Sequence, residues 1–339
     1  MATIIPKSSI KLGVVPTHIK FVDGLVPDEN GNMPRDAGGK IKVVSAMEQL
    51  VQRSAAKLDC VQISLFPGVT DADYAEMVQS LEQLGLEVHL ILMVGGSGNP
   101  MDPADESAVV DCIVECLQAA AKHNIVTVSS TSLEPWMSGA PRKEGAEFDA
   151  AVDQIVNVHL KAWEQANLTD SSIASWNIEF LRSIEFSTFT DLGRGWHVVK
   201  KANEAIGKPL FKIIVDAAHC GDSELSLDRN IELISEIGEQ DGLSIFHASA
   251  KTTRGCLTTD DGWIGALLAA CAKTGKLEYV YGEMFHHEDP ALESLRDAVE
   301  GHGLDTTDGR SYVDVLASGV DDLAHRLNNF AARGIGGSR

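Results

Sequence analysis

The feature that most constrains the fold is an eightfold alternation of a short apolar run and a longer amphipathic segment. The apolar runs resemble buried β-strands and occupy residues 11–19, 59–67, 87–95, 125–131, 171–181, 211–219, 243–250 and 277–285. The segments that follow have apolar residues three and four positions apart, as helices do, and occupy residues 40–58, 71–85, 106–124, 145–166, 191–207, 226–240, 258–275 and 289–303. This alternation predicts parallel strands that are joined by helical crossovers.

Eight strand–helix units without a clear linker predict an α/β fold that is a closed (β/α)8 barrel, the TIM barrel. The strand-like runs are apolar on both faces, as expected of parallel strands covered by helices. Several helical segments end at a residue suited to a left-handed C-terminal cap, namely Gly85, Asn124, Gly207, Gly275 and Gly303. A doubly wound open sheet is disfavoured because no G-x-G-x-x-G motif follows the first strand.

The length of the chain also fits one barrel. At 339 residues it is comfortable for a single α/β barrel, so we expect residues 1–339 to form one (β/α)8 domain. Residues 311–334 follow the eighth unit and are predicted to add a C-terminal helical extension.

Charge and composition exclude several classes of partner. The net charge of −21 repels phosphate backbones and anionic lipid, so we expect neither a nucleic-acid nor a membrane partner. No apolar run reaches the roughly 18 residues typical of a transmembrane helix, and the first residues lack the apolar core of a signal peptide. The six cysteines form no C-x-x-C pair, which is typical of reduced thiols. These features together predict a cytoplasmic protein.

Four consecutive predicted strands, the fifth to the eighth, carry a polar side chain at their carboxyl ends: Glu179, Asp216, His247 and Glu283. The active site of a TIM barrel lies at this end of the strands. In the segment KIIVDAAHCGD, for example, an apolar run ends at Asp216 and His219 follows three positions later. A lone acid in such a place is usually a turn or a solvated loop residue. Polar side chains at the ends of four adjacent strands predict an active site instead.

Three carboxylates and an imidazole that converge on one point would repel each other unless a cation lay among them. A ligand set of mostly oxygen with one nitrogen favours Mn²⁺ or Mg²⁺, with Co²⁺, Fe²⁺ and Zn²⁺ as alternatives. A purely structural zinc site would use thiolates. We therefore predict a divalent metal cofactor, with Mn²⁺ as the first choice.

Residues 175–290 resemble the xylose isomerase-like barrels, which include ketose 3-epimerases, hydroxypyruvate isomerases and related sugar isomerases. NIEFLRSIE is similar to an epimerase segment in which a metal-binding Glu is followed six positions later by a substrate-binding Glu. VDAAH, FHASAKTTRG and YGEMF are similar to the segments of strands six, seven and eight that hold the other ligands. The resemblance implies metal binding by Glu179, Asp216, His247 and Glu283, and substrate binding by Glu185, His219 and Arg254.

The resemblance also implies a chemistry, that of a metal-dependent ketose isomerase or epimerase with a carbohydrate substrate. A cation polarises the substrate carbonyl, and a carboxylate then removes the neighbouring C–H proton through an enediolate. Glu179 and Glu283 would be the acid/base pair on opposite faces of the carbon. Return of the proton to the other face gives an epimer, and return to the neighbouring carbon gives an aldose–ketose exchange. We expect the protein to be a homo-oligomer, either a dimer or a tetramer.

Two alternatives stay open. A lyase or dehydratase on a keto-sugar or 3-oxo-glycoside, including C-glycoside cleavage, would use the same first step if a leaving group lay β to the enolate. A barrel that binds sugar without turnover is the third hypothesis. One departure bears on the choice: the Pro-Leu-Asn that usually follows the first ligand in the family is Phe180, Leu181 and Arg182 here.

Overall fold

Eight parallel strands form a closed barrel in chain order, and the last strand pairs with the first. The computed structural model describes residues 4–16, 26–168, 171–249, 263–284, 293–298 and 311–337. The strands are β1 (Lys11–Val15), β2 (Cys60–Leu65), β3 (Glu87–Leu92), β4 (Thr127–Ser130), β5 (Ser175–Ile178), β6 (Phe211–Asp216), β7 (Leu243–Ala248) and β8 (Tyr279–Glu283). The predicted (β/α)8 barrel is confirmed, with strands shorter than the apolar runs that predicted them.

Helices follow the strands on the outside of the barrel. They are α1 (Lys42–Arg53), α2 (Asp71–Gln83), α3 (Glu106–Lys122), α4 (Gly145–Gln165), α5 (Leu192–Ile206), α6 (Ala217–Asp222), α7 (Leu227–Glu239), α8 (Trp263–Lys273), α9 (Glu293–Ala298) and α10 (Tyr312–Ala332). The short helix α6 was not predicted. The predicted C-terminal helix is α10, which packs against α1 and β1. Within the described ranges, none of the helices combines the length and hydrophobicity needed to cross a bilayer.

The helix ends follow from local sequence. Five of the described helices begin at a side chain that accepts a hydrogen bond from a backbone N–H of the first turn, at Thr70, Asp191, Asp216, Ser226 and Ser311. Four of the five predicted C-terminal caps have positive φ, namely Gly85, Asn124, Gly207 and Gly275. The fifth, Gly303, lies outside the described residues.

The inner face of the barrel differs from the prediction. The outer faces of the strands are mostly apolar and pack beneath the helices, but the interior also holds buried polar side chains, among them Gln62, His89, Ser129, Asn177 and Ser244. The inner face is therefore mixed rather than uniformly apolar as predicted, since Val15, Ile214 and Ile245 form a separate buried apolar cluster with Tyr279 and Tyr281. Polar groups are tolerated there because they bond to one another: the Ser244 hydroxyl, for example, donates to Asn177 Oδ1 over 2.6 Å.

Aromatic rings fill the amino-terminal part of the barrel. A Cβ atom at Gly13 would lie 2.5 Å from the carbonyl oxygen of Cys60 and 2.9 Å from Cδ1 of Tyr281, so the glycine makes room for that ring. The Tyr281 hydroxyl bonds to Nδ1 of His89, and Nε2 of His89 lies 2.8 Å from Oε1 of Glu87. This end of the barrel is thus closed by side chains.

A second buried histidine ends a directed chain of hydrogen bonds beneath α4. His159 Nδ1 lies 2.8 Å from the carbonyl oxygen of Ile155, which can only accept, so Nδ1 carries the proton. Nε2 then accepts from Ser132, 2.7 Å away, and Ser132 in turn accepts from Ser130 over 2.7 Å. The indole N–H of Trp176 donates to Ser130 over 2.9 Å. While His159 is neutral, each donor and acceptor in this series of hydrogen bonds has a partner.

We expect His159 to make the protein less stable in mild acid. Burial lowers the pKa of His159 to about 4, whereas an unfolded chain has a histidine pKa of about 6.5. Between these values the unfolded chain binds a proton that the folded chain does not. Stability therefore falls as the pH falls through this window, by up to about 3 kcal/mol from this residue.

Urea unfolding at pH 5.0 and 7.5 measures this effect. The difference in unfolding free energy between the two pH values should be smaller in His159→Gln than in the parent. His325→Gln, on an exposed part of α10, is the matched control for the loss of one histidine. Equal pH dependence in the parent and His159→Gln would contradict the assignment.

Candidate active site

The four predicted ligands lie together at the carboxyl end of the barrel. Glu179 directly follows β5, Asp216 ends β6, His247 lies in β7 and Glu283 ends β8. One ligand atom from each residue lies within 4.8 Å of the others. Asp216 and His247 are fully buried, and both glutamates are 5% exposed. The sequence therefore identified four side chains that the fold brings to one point.

Strand pairing sets the height of these side chains. Asp216 is paired with His247 between β6 and β7, and His247 is paired with Tyr281 between β7 and β8. Because side chains alternate along a strand, Glu283 faces the same side of β8 as Tyr281, two residues earlier. Glu179 extends the ladder beyond β5, since its N–H donates to the last carbonyl of β4 over 3.0 Å.

The imidazole of His247 lies among the carboxylates. Its Nδ1 is 3.0 Å from Glu179 Oε1, 3.2 Å from Glu283 Oε2 and 4.0 Å from Asp216 Oδ2. Complete burial opposes a charged imidazole, but the charges of Glu179 and Glu283 outweigh it and hold the pKa of His247 well above its usual range. The site therefore attracts positive charge to the position that Nδ1 faces.

The donor set fits a divalent cation. Two like charges 4 Å apart repel by about 4 kcal/mol at an effective dielectric constant of about 20, so three buried carboxylates need compensation. Carboxylate oxygens with one imidazole nitrogen suit Mn²⁺, Mg²⁺ and related divalent ions. The cluster of Glu179, Asp216, His247 and Glu283 could therefore hold a metal ion.

Asp216 also positions His219. Its Oδ1 accepts the backbone N–H of His219 over 2.7 Å and so caps α6. The buried imidazole of His219 then lies beside the cluster, with Nδ1 3.7 Å from Glu179 Oε1. Its Nε2 is 3.9 Å from Glu185 Oε2. The structure thus brings His219 and Glu185 to the candidate site, whereas the predicted substrate contact Arg254 lies outside the described residues.

The loop after β4 holds the loop after β5 in place through hydrogen bonds. The sequence analysis did not predict this contact. Oε1 of the buried Glu134 accepts backbone N–H groups from Ser187, Thr188 and Phe189 over 2.8 to 3.1 Å. A lone carboxylate in an irregular segment gives no sequence signal for such a role. Its effect is to fix the loop that carries Glu185.

Trp136 contacts Glu185 directly. Its indole N–H donates to Glu185 Oε1 over 3.1 Å, and the N–H of Met137 donates to the Glu185 carbonyl over 2.7 Å. The Trp136 side chain is 44% exposed although it is large and aromatic. It therefore lies at the edge of the candidate site with one face open.

Arg182, at the departure from the family pattern, braces the site from another side. It is 8% exposed, and its Nε lies 3.2 Å from Asp222 Oδ2 at the end of α6. The pair links the loop between Glu179 and Glu185 to the helix that carries His219.

Comparisons with known proteins support the fold. The sequence matches no protein-family model and no curated protein. The structure is similar to D-psicose 3-epimerase with D-tagatose from Clostridium cellulolyticum H10 (TM-score 0.68, 15% identity, 94% of this chain and 99% of that chain). It is also similar to D-allulose 3-epimerase from Methylomonas sp. in complex with D-allulose (TM-score 0.68, 16% identity, 96% of this chain and 99% of that chain). A third similar structure is that of an L-ribulose 3-epimerase (TM-score 0.67, 14% identity, 96% of this chain and 96% of that chain). At these identities the likeness shows a shared TIM-barrel fold, which these ketose 3-epimerases also have.

We expect the cluster to bind one divalent cation per chain. Replacing Asp216 with Ala should remove most bound metal, because it deletes a buried ligand and uncaps α6. Elemental analysis after dialysis against Mn²⁺ measures this, with Asp111→Ala on the exposed face of α3 as the control. Chelation should also lower the melting temperature of the parent, since a cation that binds only the folded state stabilises it.

Equal metal content in Asp216→Ala and Asp111→Ala would exclude the cluster as the binding site. An unchanged melting curve in parent protein shown to be free of metal would exclude tight binding.

Proposed function

We propose that this protein is a divalent-metal-dependent ketose epimerase or isomerase. One observation carries the proposal: three carboxylates and one imidazole gather within 4.8 Å at the carboxyl end of a TIM barrel. Solved structures with the same fold include 3-epimerases of psicose, allulose and ribulose, which supports a small ketose as the substrate class.

Glu179, Asp216, His247 and Glu283 would hold the cation, with Mn²⁺ as the first candidate and Mg²⁺, Co²⁺ or Zn²⁺ as alternatives. A bound divalent cation supplies Lewis-acid polarisation of a substrate carbonyl. All four side chains are almost completely buried, so their charges act on the cation with little screening by solvent.

The two glutamates are the proposed acid/base pair. Glu179 directly follows β5 and Glu283 ends β8, and their carboxylate oxygens lie 3.0 and 3.2 Å from Nδ1 of His247. One carboxylate removes the proton from the carbon next to the carbonyl, and the other delivers a proton to the opposite face, which inverts the centre. Delivery to the neighbouring carbon would instead exchange ketose and aldose.

Glu185, His219 and Arg254 are the proposed substrate contacts. His219 Nε2 faces Glu185 Oε2 at 3.9 Å, so these two side chains can bond to neighbouring hydroxyl groups of one sugar. Trp136 positions the Glu185 carboxylate through its indole N–H.

Solvent-exchange labelling tests the reaction. Incubation of the Mn²⁺-loaded protein with unmodified ketoses and 3-oxo-glycosides in D₂O should place deuterium on the carbon next to the carbonyl. The products should be labelled isomers of unchanged connectivity. Glu283→Gln should lose most of this exchange, because an amide cannot accept the proton at neutral pH.

The other outcomes identify the alternatives. Release of a leaving group and an unsaturated sugar would identify a lyase. If no substrate gains deuterium or gives a product, the result would identify a barrel that binds sugar without turnover. Full exchange in Glu283→Gln would exclude Glu283 as a base.

His219→Ala should separate substrate binding from metal binding. We expect turnover to fall at least about tenfold, while bound Mn²⁺ stays near the parental content because the other four side chains remain. Exchange rates and elemental analysis of the same preparation measure both. Loss of the metal in His219→Ala would instead identify His219 as a ligand.

A further inference from the structure

A buried amide crosses the barrel to reach His247. Gln62 lies in the middle of β2 and is fully buried. Its Oε1 is 2.8 Å from Nε2 of His247 in β7, and its Nε2 donates to Ser129 Oγ in β4 over 2.7 Å. None of these three strands pairs with another of them, so the amide spans the interior itself.

The direction of these hydrogen bonds fixes where His247 carries a proton. A carbonyl oxygen can only accept, so Nε2 of His247 must donate to Gln62. Ser129 has a hydroxyl that can accept, and it receives the amide N–H. An imidazole that ligates a cation through Nδ1 must keep its remaining proton on Nε2. The contact with Gln62 meets that requirement.

We infer that Gln62 is a positioning residue for the metal site: it holds His247 with Nε2 protonated and the Nδ1 lone pair directed at the carboxylates. The inference rests on the proposed metal-dependent function and assigns no reaction step to Gln62. The two nitrogens face different surroundings, since Nδ1 is 3.0 Å from Glu179 and 3.2 Å from Glu283, whereas Nε2 is 2.8 Å from the amide oxygen of Gln62.

The amide acts on affinity through orientation. A ring without its acceptor would leave a buried N–H unsatisfied or rotate to find another partner, and either costs free energy that the bound state must supply. Partners that orient a metal-ligating histidine typically change metal affinity by about 10- to 100-fold when they are removed. Ser129 affects metal affinity less directly, because it fixes the Gln62 amide rather than the His247 ring.

The test measures Mn²⁺ affinity in protein stripped of metal, by calorimetry or chelator competition. Gln62→Met keeps the shape of the side chain and removes the acceptor, so Mn²⁺ binding should weaken at least about tenfold. Gln62→Glu keeps an oxygen acceptor and should bind at least as tightly as the parent. Ser129→Ala should weaken binding by a few-fold and serves as the milder variant if Gln62→Met does not fold.

Asn177→Leu is the matched control. Asn177 is another fully buried amide of the barrel interior, and its hydrogen bonds go to Ser244, Ser175 and the carbonyl of Val128 rather than to His247. Its replacement should leave Mn²⁺ affinity near the parental value. Equal weakening in Asn177→Leu and Gln62→Met would show that both only loosen the barrel, and the inference would be overturned.

The remaining outcomes separate this inference from the proposed function. Parental affinity in Gln62→Met overturns the inference and leaves the proposed function intact. A parent that binds no Mn²⁺ overturns both. A parent that binds Mn²⁺ but turns over no ketose overturns the proposed reaction, while the comparison of affinities still decides the role of Gln62.

A spectroscopic measurement tests the tautomer itself. In protein with ¹⁵N-labelled histidine and bound ¹¹³Cd²⁺, the cadmium should couple to Nδ1 of His247, and Nε2 should keep its proton. The His247 signals are identified by their loss in His247→Gln. Coupling through Nε2 would overturn the inference.

Discussion

The repulsion among three buried carboxylates is the constraint on which the rest of this structure depends. Glu179, Asp216 and Glu283 share a region 4.8 Å across with one imidazole. Such a cluster costs stability unless positive charge is supplied, and the charges of Glu179 and Glu283 accordingly hold the pKa of His247 above its usual range. A barrel that places four strand ends side by side can hold the cluster, because its core elsewhere stabilises the strands that carry these residues.

The polar interior of the barrel is related to the same need to hold buried polar and charged side chains in place. At the carboxyl end, Gln62 links His247 to Ser129. At the amino end, His89 lies between Glu87 and the hydroxyl of Tyr281. Interior amides and hydroxyls cost stability when they are isolated, but bonded to each other they fix side-chain orientations that an apolar filling would leave undetermined. The interior thus supports the site rather than merely filling space.

The loops supply the outer wall of the site. Glu134 and Trp136 connect the loop after β4 to the loop after β5, and Arg182 connects that loop to α6 through Asp222. These contacts join segments that carry Glu185 and His219, so the proposed sugar contacts are braced from two sides. The Arg182 pair lies where the sequence departs from the epimerase pattern, and the same fold can therefore present a different pocket wall.

The sequence by itself determined the eight strand–helix units and the polar residue at each of the last four strand ends, because periodicity and strand boundaries are local properties of the chain. Glu179, Asp216, His247 and Glu283 could be predicted as candidate ligands in this way, and the epimerase resemblance added Glu185 and His219 as candidate substrate contacts. Only the tertiary structure decided that Gln62 reaches His247, since that contact joins residues 185 positions apart. The polar inner face and the three N–H groups that bond to Glu134 were equally hidden. The physical reason is that side-chain contacts across a barrel depend on how strands far apart in the sequence come together when the barrel closes, and local sequence patterns do not specify those distances.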